Sequence, residues 1–179
     1  MATTWLSMMA QGLYETVYMT LVSTFMSYMF GLPLGIILTT TDRGHIMPNS
    51  WLNNCLGTLV NLVRNVPFLI LMVAVLPLSR LILGTTIGSS ATIVPLVIGA
   101  TPFVARMVES SLKEIDKGVI EAAQSMGASP LQIIFKVMLP EAYPSLINGS
   151  VIAMTTILGY SAMAGVVGGG GLGDLAIRY

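Results

Sequence analysis

Charge is the scarcest property of this sequence. Only 9% of its 179 residues are Asp, Glu, Lys or Arg, against about 25% in an ordinary soluble domain. A chain of this length leaves much of its surface against solvent, so water is excluded as the solvent over a large part of it. The 8 basic and 8 acidic residues cancel, which removes the basic excess a nucleic-acid binder needs. One cysteine, Cys55, excludes an internal disulfide and a cysteine metal cluster; it reads as a small apolar residue of a membrane helix. The lone histidine, His45, falls in a polar turn and reads as a solvated residue at the membrane edge. No basic residue precedes Arg43, and the first apolar stretch is too long for the core of a cleavable leader. That stretch is expected to stay in the membrane. No Gly-x4-Gly-Lys-Ser/Thr loop occurs, so no phosphate-loop ATP site is expected.

What is present is apolar: 54% of the residues are hydrophobic. A helix crossing a bilayer needs about 20 mostly apolar residues, and four segments supply them, at about 16–39, 51–76, 87–105 and 145–167. Short polar turns at 41–45 and 77–86 and a long polar loop at 106–141 separate them. The expected fold is a single all-α domain, a polytopic transmembrane helical bundle with four spans. Arg43, Arg106, Lys113, Lys117 and Lys136 fall on one side, Arg80 and Arg178 on the other. The excess of basic residues places the long loop in the cytoplasm and both ends of the chain outside.

The long loop is patterned. Glu121-Ala122-Ala123 opens a short helix that Gly127 closes in the left-handed conformation. Ser129 then caps a second helix with Pro130 at its first position, and Gln132 completes a capping box. Leu131, Ile134 and Met138 fall on one face of that helix, and Leu139-Pro140 is expected to stop it. Two short helices at a fixed bend would form a compact plug.

The run Glu121-Ala122-Ala123, x3, Gly127, x9, Val137, x, Leu139-Pro140 resembles the signature loop of ABC importer permeases, with Val137 where that pattern has Ile. In the family this loop is the coupling helix that docks in a cleft of the ATPase subunit. The resemblance implies that Ala122, Ala123 and Gly127 permit close approach and that Glu121 offers a charge for pairing. The chain is most similar to the methionine-uptake permeases. The stretches Pro102-Phe103-Val104-Ala105-Arg106-Met107-Val108-Glu109 and Gly159-Tyr160-Ser161-Ala162-Met163-Ala164-Gly165 and the run from Gly168 to Gly173 carry that likeness. Arg64-Asn65-Val66-Pro67 is similar to the Arg-x-x-Pro element of amino-acid permeases. The implied partners are two ATPase subunits, a second copy of this chain, an extracytoplasmic methionine-binding protein and membrane lipid. ATP would be bound by the partner ATPase and no cofactor by this chain, which is then a transporter subunit of the bacterial inner membrane and not an enzyme. The family has a further span after the glycine-rich run; this sequence stops at Tyr179, so that span is expected to be missing from it.

Arg64 is the one charge inside a span, and an ionisable residue there is a candidate functional group. Asn54, Asn61, Arg64 and Asn65 fall near one helical face. Two readings stay open: a lining that meets a zwitterionic amino acid, or an arginine that satisfies carbonyls freed by Pro67. Gly159, Tyr160, Ser161 and Met163 in the fourth span either line the translocation path or its gate, or let helices approach closely.

Other motifs point elsewhere. Gly168-x-Gly170-x-x-Gly173 has the letters of a dinucleotide fingerprint but follows a membrane helix, not a strand. Gly171-Leu172-Gly173-Asp174 has those of an intramembrane aspartyl protease, which needs a second carboxylate at the same depth. Ser161 as a protease nucleophile would need a nearby base. A passive channel, or a permease for another amino acid or an osmolyte, would share most of these features.

Overall fold

Small side chains recur at every fourth position of the first helix: Ser23, Ser27, Gly31, Gly35 and Thr39. The computed structural model describes residues 2–179, with side-chain surroundings from Trp5 onward, and this stripe organises it. Helix α1 (Ala2–Thr40) turns its threonine hydroxyls back on its own carbonyls, Thr20 on Thr16 at 2.8 Å and Thr39 on Gly35 at 3.0 Å. Polar groups away from water gain partners in this way, although the buried hydroxyls of Ser23 and Ser27 find none among the described residues. The stripe seats α4 (Ser89–Lys113), and the two form the most extensive helix pair of the fold. A Cβ added to Gly31 would meet Val104 Cγ1 at 2.7 Å, and one added to Gly35 the Ala105 carbonyl oxygen at 2.6 Å. The two backbones are therefore closer than any side chain permits.

The segment expected to form one span at 51–76 is two helices, α2 (Ser50–Asn65) and α3 (Phe68–Leu83), bent by 107°. Pro67 disfavours helical geometry in the residue before it; Val66 is extended, and α3 restarts after Pro67. Pro77 lies inside α3 and does not open a turn; Gly84, at φ +77, ends the helix instead. Among the described residues three helices are long and apolar enough to cross a membrane, or four if the bent pair is one span.

The polar loop is shorter than 106–141. Arg106, Glu109 and Lys113 remain in α4, where they pair along one face. Next come α5 (Lys117–Ser125) and α6 (Pro130–Ile133). A π-helical turn over Ile134–Met138 leads into α7 (Leu139–Ala164). Leu139-Pro140 thus does not stop the helix. Pro140 has no N–H, and its ring would strike the carbonyl one turn back in an α-helix. The wider turn, in which the Leu139 N–H donates to the Ile134 carbonyl, carries the helix past it.

A 3-10 turn (Gly165–Val167) then brings α8 (Gly171–Arg178) back against the start of α1. The glycine-rich run is explained by this packing: a Cβ on Gly173 would overlap the Ala162 carbonyl. Glu15 shares a cleft with Asp174. Its oxygens are engaged by Gln11 Nε2 and the Gly171 N–H, while Asp174 pairs with Arg178 at 2.9 Å. The two acids do not form a proton-sharing pair.

Candidate functional site

The signature segment is built from two helix caps. Asp116 Oδ1 accepts from the Gly118 N–H at 2.6 Å and starts α5 four residues ahead of Glu121, so the Glu-Ala-Ala run sits in the body of the helix and does not open it. At the other end Gly127 takes φ +79. The Gly127 N–H donates to the Gln124 carbonyl at 2.9 Å and the Ala128 N–H to the Ala123 carbonyl at 3.2 Å, the paired bonds of a Schellman cap. The bend then closes on Ser129, whose N–H donates to Gln132 Oε1 at 2.9 Å and whose Oγ accepts from the Gln132 N–H at 3.4 Å.

This rigid bend divides the motif into two faces. Ala123 is buried with Ile120, Ile133, Ile134 and Met138 against Leu112 and Ile115 at the end of α4, and Val137 and Leu139 pack on that cluster. Ala123 therefore seats α5 on its own chain and does not present a docking surface. Glu121, Ala122, Gly127 and Pro140 are exposed. Leu131 does not share the buried face of Ile134 and Met138; it is 66% exposed, as is Phe135 at 64% and Met126 at 82%. Large apolar side chains left in the open at a polar end of a bundle mark a surface that a partner covers.

A second feature adjoins this surface. His45 is half-buried, not solvated: with Gly44 and Ile46 it lines a 100 Å³ groove against Lys117, Ile120, Glu121 and Gln124. Burial lowers the imidazole's proton affinity below its ordinary value, and Asp42 offsets part of that. The Lys113 ammonium donates to the Asp42 carboxylate at 2.7 Å and holds its pKa below the usual carboxylate range.

Sequence reasoning missed the ladder to which Asp42 belongs. Glu109, 7% exposed, is shared between Arg106 and Lys113. Arg106 Nη2 reaches across to α2, donating to the Gly57 carbonyl at 3.1 Å and to Asn61 Oδ1 at 2.9 Å. The signal was the spacing of Arg106, Glu109 and Lys113 on one helical face.

The third feature lies at the helix break. Arg64, Phe68, Leu71, Gly99, Phe103 and Tyr160 line a cavity of 150 Å³. Phe68 and Tyr160 stack with centroids 4.2 Å apart, and the Arg64 guanidinium lies 6.0 Å from the Phe103 centroid. Arg64 donates to no carbonyl freed by Pro67 among the described residues. Of the residues considered for the path, Arg64 and Tyr160 come together here. Asn61 turns to Arg106, and Ser161 is buried with its hydroxyl donating to the Leu158 carbonyl at 2.7 Å. Gly159 and Met163 are exposed on α7 away from the cavity lining.

The family described as binding-protein-dependent transport system inner membrane component matches residues 31–178. The chain is 56% identical over 166 residues to the probable D-methionine transport system permease protein MetI of Vibrio cholerae, covering 93% of this chain and 74% of that protein. It is 51% identical over 158 residues to the D-methionine transport system permease protein MetI of Yersinia pestis, covering 88% and 73%. A solved structure described as an inward-facing conformation of the MetNI methionine ABC transporter superposes with a TM-score of 0.98 at 47% identity, over 100% of this chain and 83% of that one.

Proposed function

This chain belongs to the binding-protein-dependent transport inner-membrane components, and from that premise we propose that it is the membrane-spanning subunit of an ATP-driven methionine importer. The observation that carries the proposal is the capped bend of α5 and α6, whose inner face is locked on α4 and whose outer face is left open. A segment that only joined two helices would need neither two interlocking caps nor exposed Met126, Leu131 and Phe135. The relatives named for D-methionine transport supply the substrate.

In this reading the loop end lies in the cytoplasm and two copies of the chain each dock an ATPase subunit through Glu121, Ala122 and Gly127. Ala123, Val137 and Leu139 act from within by seating the bend. ATP binding draws the two bends together. The ATP-bound ATPase favours one arrangement of the helices over the other, which shifts the population from inward-open to outward-open. A binding protein then delivers methionine, and hydrolysis returns the assembly. The cavity at the Val66-Pro67 break is the part of the path this chain supplies. Arg64 would meet the substrate carboxylate, and the Phe103 and Tyr160 rings suit a thioether, since sulfur packs favourably on aromatic edges.

The test is uptake of labelled D- and L-methionine into vesicles bearing the chain with its ATPase and binding protein, with other amino acids as competitors. ATP-dependent uptake competed only by methionine is the expected result. ATP-dependent uptake of a different solute would retain the importer and discard methionine. Flux that ignores ATP would discard both.

A further inference from the structure

The ladder on α4 is more than a local set of ion pairs, because of where its rungs lead. Lys113 is the last residue of α4, and Lys117, the first of α5, follows after a short link. The coupling bend therefore cannot move without displacing Lys113 or stretching that link. Lys113 is tied in turn to Asp42, in the turn between α1 and α2, and to Glu109 at 2.9 Å. Glu109 holds Arg106, and Arg106 grips α2 by Gly57 and Asn61. Asn53 of α2 adds a tie to the end of α1 and to that turn, its amide donating to the Leu38 carbonyl at 2.6 Å and to Thr41 Oγ1 at 3.2 Å. The far end of α2 is Asn65, beside Arg64 and the break.

We propose that α4 relays movement of the coupling bend to α2, and through it to the Arg64 cavity, by two clamps: Lys113 on Asp42 in the turn that leads into α2, and Arg106, held by Glu109, on Gly57 and Asn61. The inference rests on the importer reading above. Its physical ground is threefold. First, α2 has few contacts with the rest of the fold, mainly with α4, so the Arg106 grip is a principal constraint on it. Second, ion pairs and hydrogen bonds are directional and switch between discrete partners, as a hinge or subunit interface requires. An apolar contact would slide instead. Third, the relay is incompletely satisfied: Arg106 Nε is buried and donates to nothing among the described residues. A buried donor without an acceptor is costly, and a second arrangement of α2 against α4 that gave Nε an acceptor would remove that cost. These are positioning residues; none is placed against substrate.

Spatial continuity is not coupling, so the test reads coupling directly. In proteoliposomes holding the full complex with its ATPase and binding protein, amino acid moved per ATP hydrolysed is measured for Asp42→Asn, Arg106→Gln and the double variant. The two clamps act side by side on α4, so cutting one leaves the other in place. Each single variant should lower the ratio at least threefold, and the double should fall at least threefold below the worse single. The conservative Asp42→Glu should stay within twofold of the unaltered complex. An unchanged ratio in either single variant would overturn the proposal. So would hydrolysis and uptake falling in step, or a double variant no worse than the worse single, which would mean that one clamp alone carries the movement. The ratio is taken with whichever amino acid the unaltered complex carries. A wrong substrate then shows in the unaltered protein, and a wrong relay only in the variants.

Discussion

Glu15 Oε2 accepts a hydrogen bond from the Gly171 N–H at 2.7 Å, joining residues 156 positions apart. Beside it the Leu172 N–H donates to Thr16 Oγ1 at 2.9 Å. Successive side chains of α1 thus satisfy two of the first free N–H groups of α8, and this fixes where the chain goes after α7.

Removing that acceptor has a measurable cost. Glu15→Leu leaves the Gly171 N–H without a partner, a loss of about 1–3 kcal/mol for a buried donor. Glu15→Gln keeps an oxygen in place. Thermal unfolding in detergent should rank unaltered, Gln and Leu in descending order, with Leu well below Gln.

The α1–α4 contact predicts a second hierarchy. Gly35→Leu drives a side chain into the Ala105 carbonyl and should destabilise by at least the ~1–3 kcal/mol typical of overpacking. Gly159→Ala should not destabilise and should gain up to about 1 kcal/mol of helix propensity, because a Cβ there meets nothing within 4 Å. Folded yield and unfolding midpoint would check both.

At Gly127 the demand is on the backbone alone: φ is +79 and a Cβ would meet no atom within 4 Å. Gly127→Asn, which tolerates the left-handed region, should keep most transport. Gly127→Val should abolish transport while membrane levels hold, because a branched side chain resists that conformation by roughly 1–2 kcal/mol. Uptake normalised to membrane-inserted protein separates the two. Equal uptake by both variants would remove the bend from the coupling account.

Acidification should act at two residues near the coupling bend. His45 is held below its ordinary value near 6.5, so the folded state prefers it neutral. That contribution is whole above the ordinary value and is lost as pH falls through the lowered one. Asp42 is held below the usual carboxylate range by Lys113, so its contribution is present above that range and lost at lower pH still. Unfolding midpoints should therefore decline in two stages on acidification. His45→Gln removes the first stage and Asp42→Asn the second.

How much of this was legible beforehand depends on the range of the interaction. The left-handed Gly127, the Ser129–Gln132 box and Pro130 at a helix start were readable because each is local chemistry within a few residues. The spans were readable as apolar runs, but the 107° break at Pro67 was not. Proline is tolerated in membrane helices, and Pro33, Pro95 and Pro102 all remain inside theirs. Pro140 misled in the opposite direction, since a wider helical turn absorbs it. Leu131 was placed on the wrong face because Ile133 takes the buried position beside Ile134 and leaves Leu131 outside. The Arg106 ladder and the Glu15 cap join residues far apart in sequence, beyond the reach of periodicity.

The π-helical turn has one more implication. From Pro130 to Val167 the chain is helical for 38 residues, a rod of roughly 55 Å at about 1.5 Å per residue. Such a rod delivers torque. A twist applied at Ser129 arrives at Tyr160 unless some turn yields, and Ile134–Met138 is the one π-helical turn in that length. Its stiffness sets what fraction of any rotation survives the journey, which makes Pro140 the residue that tunes the shaft.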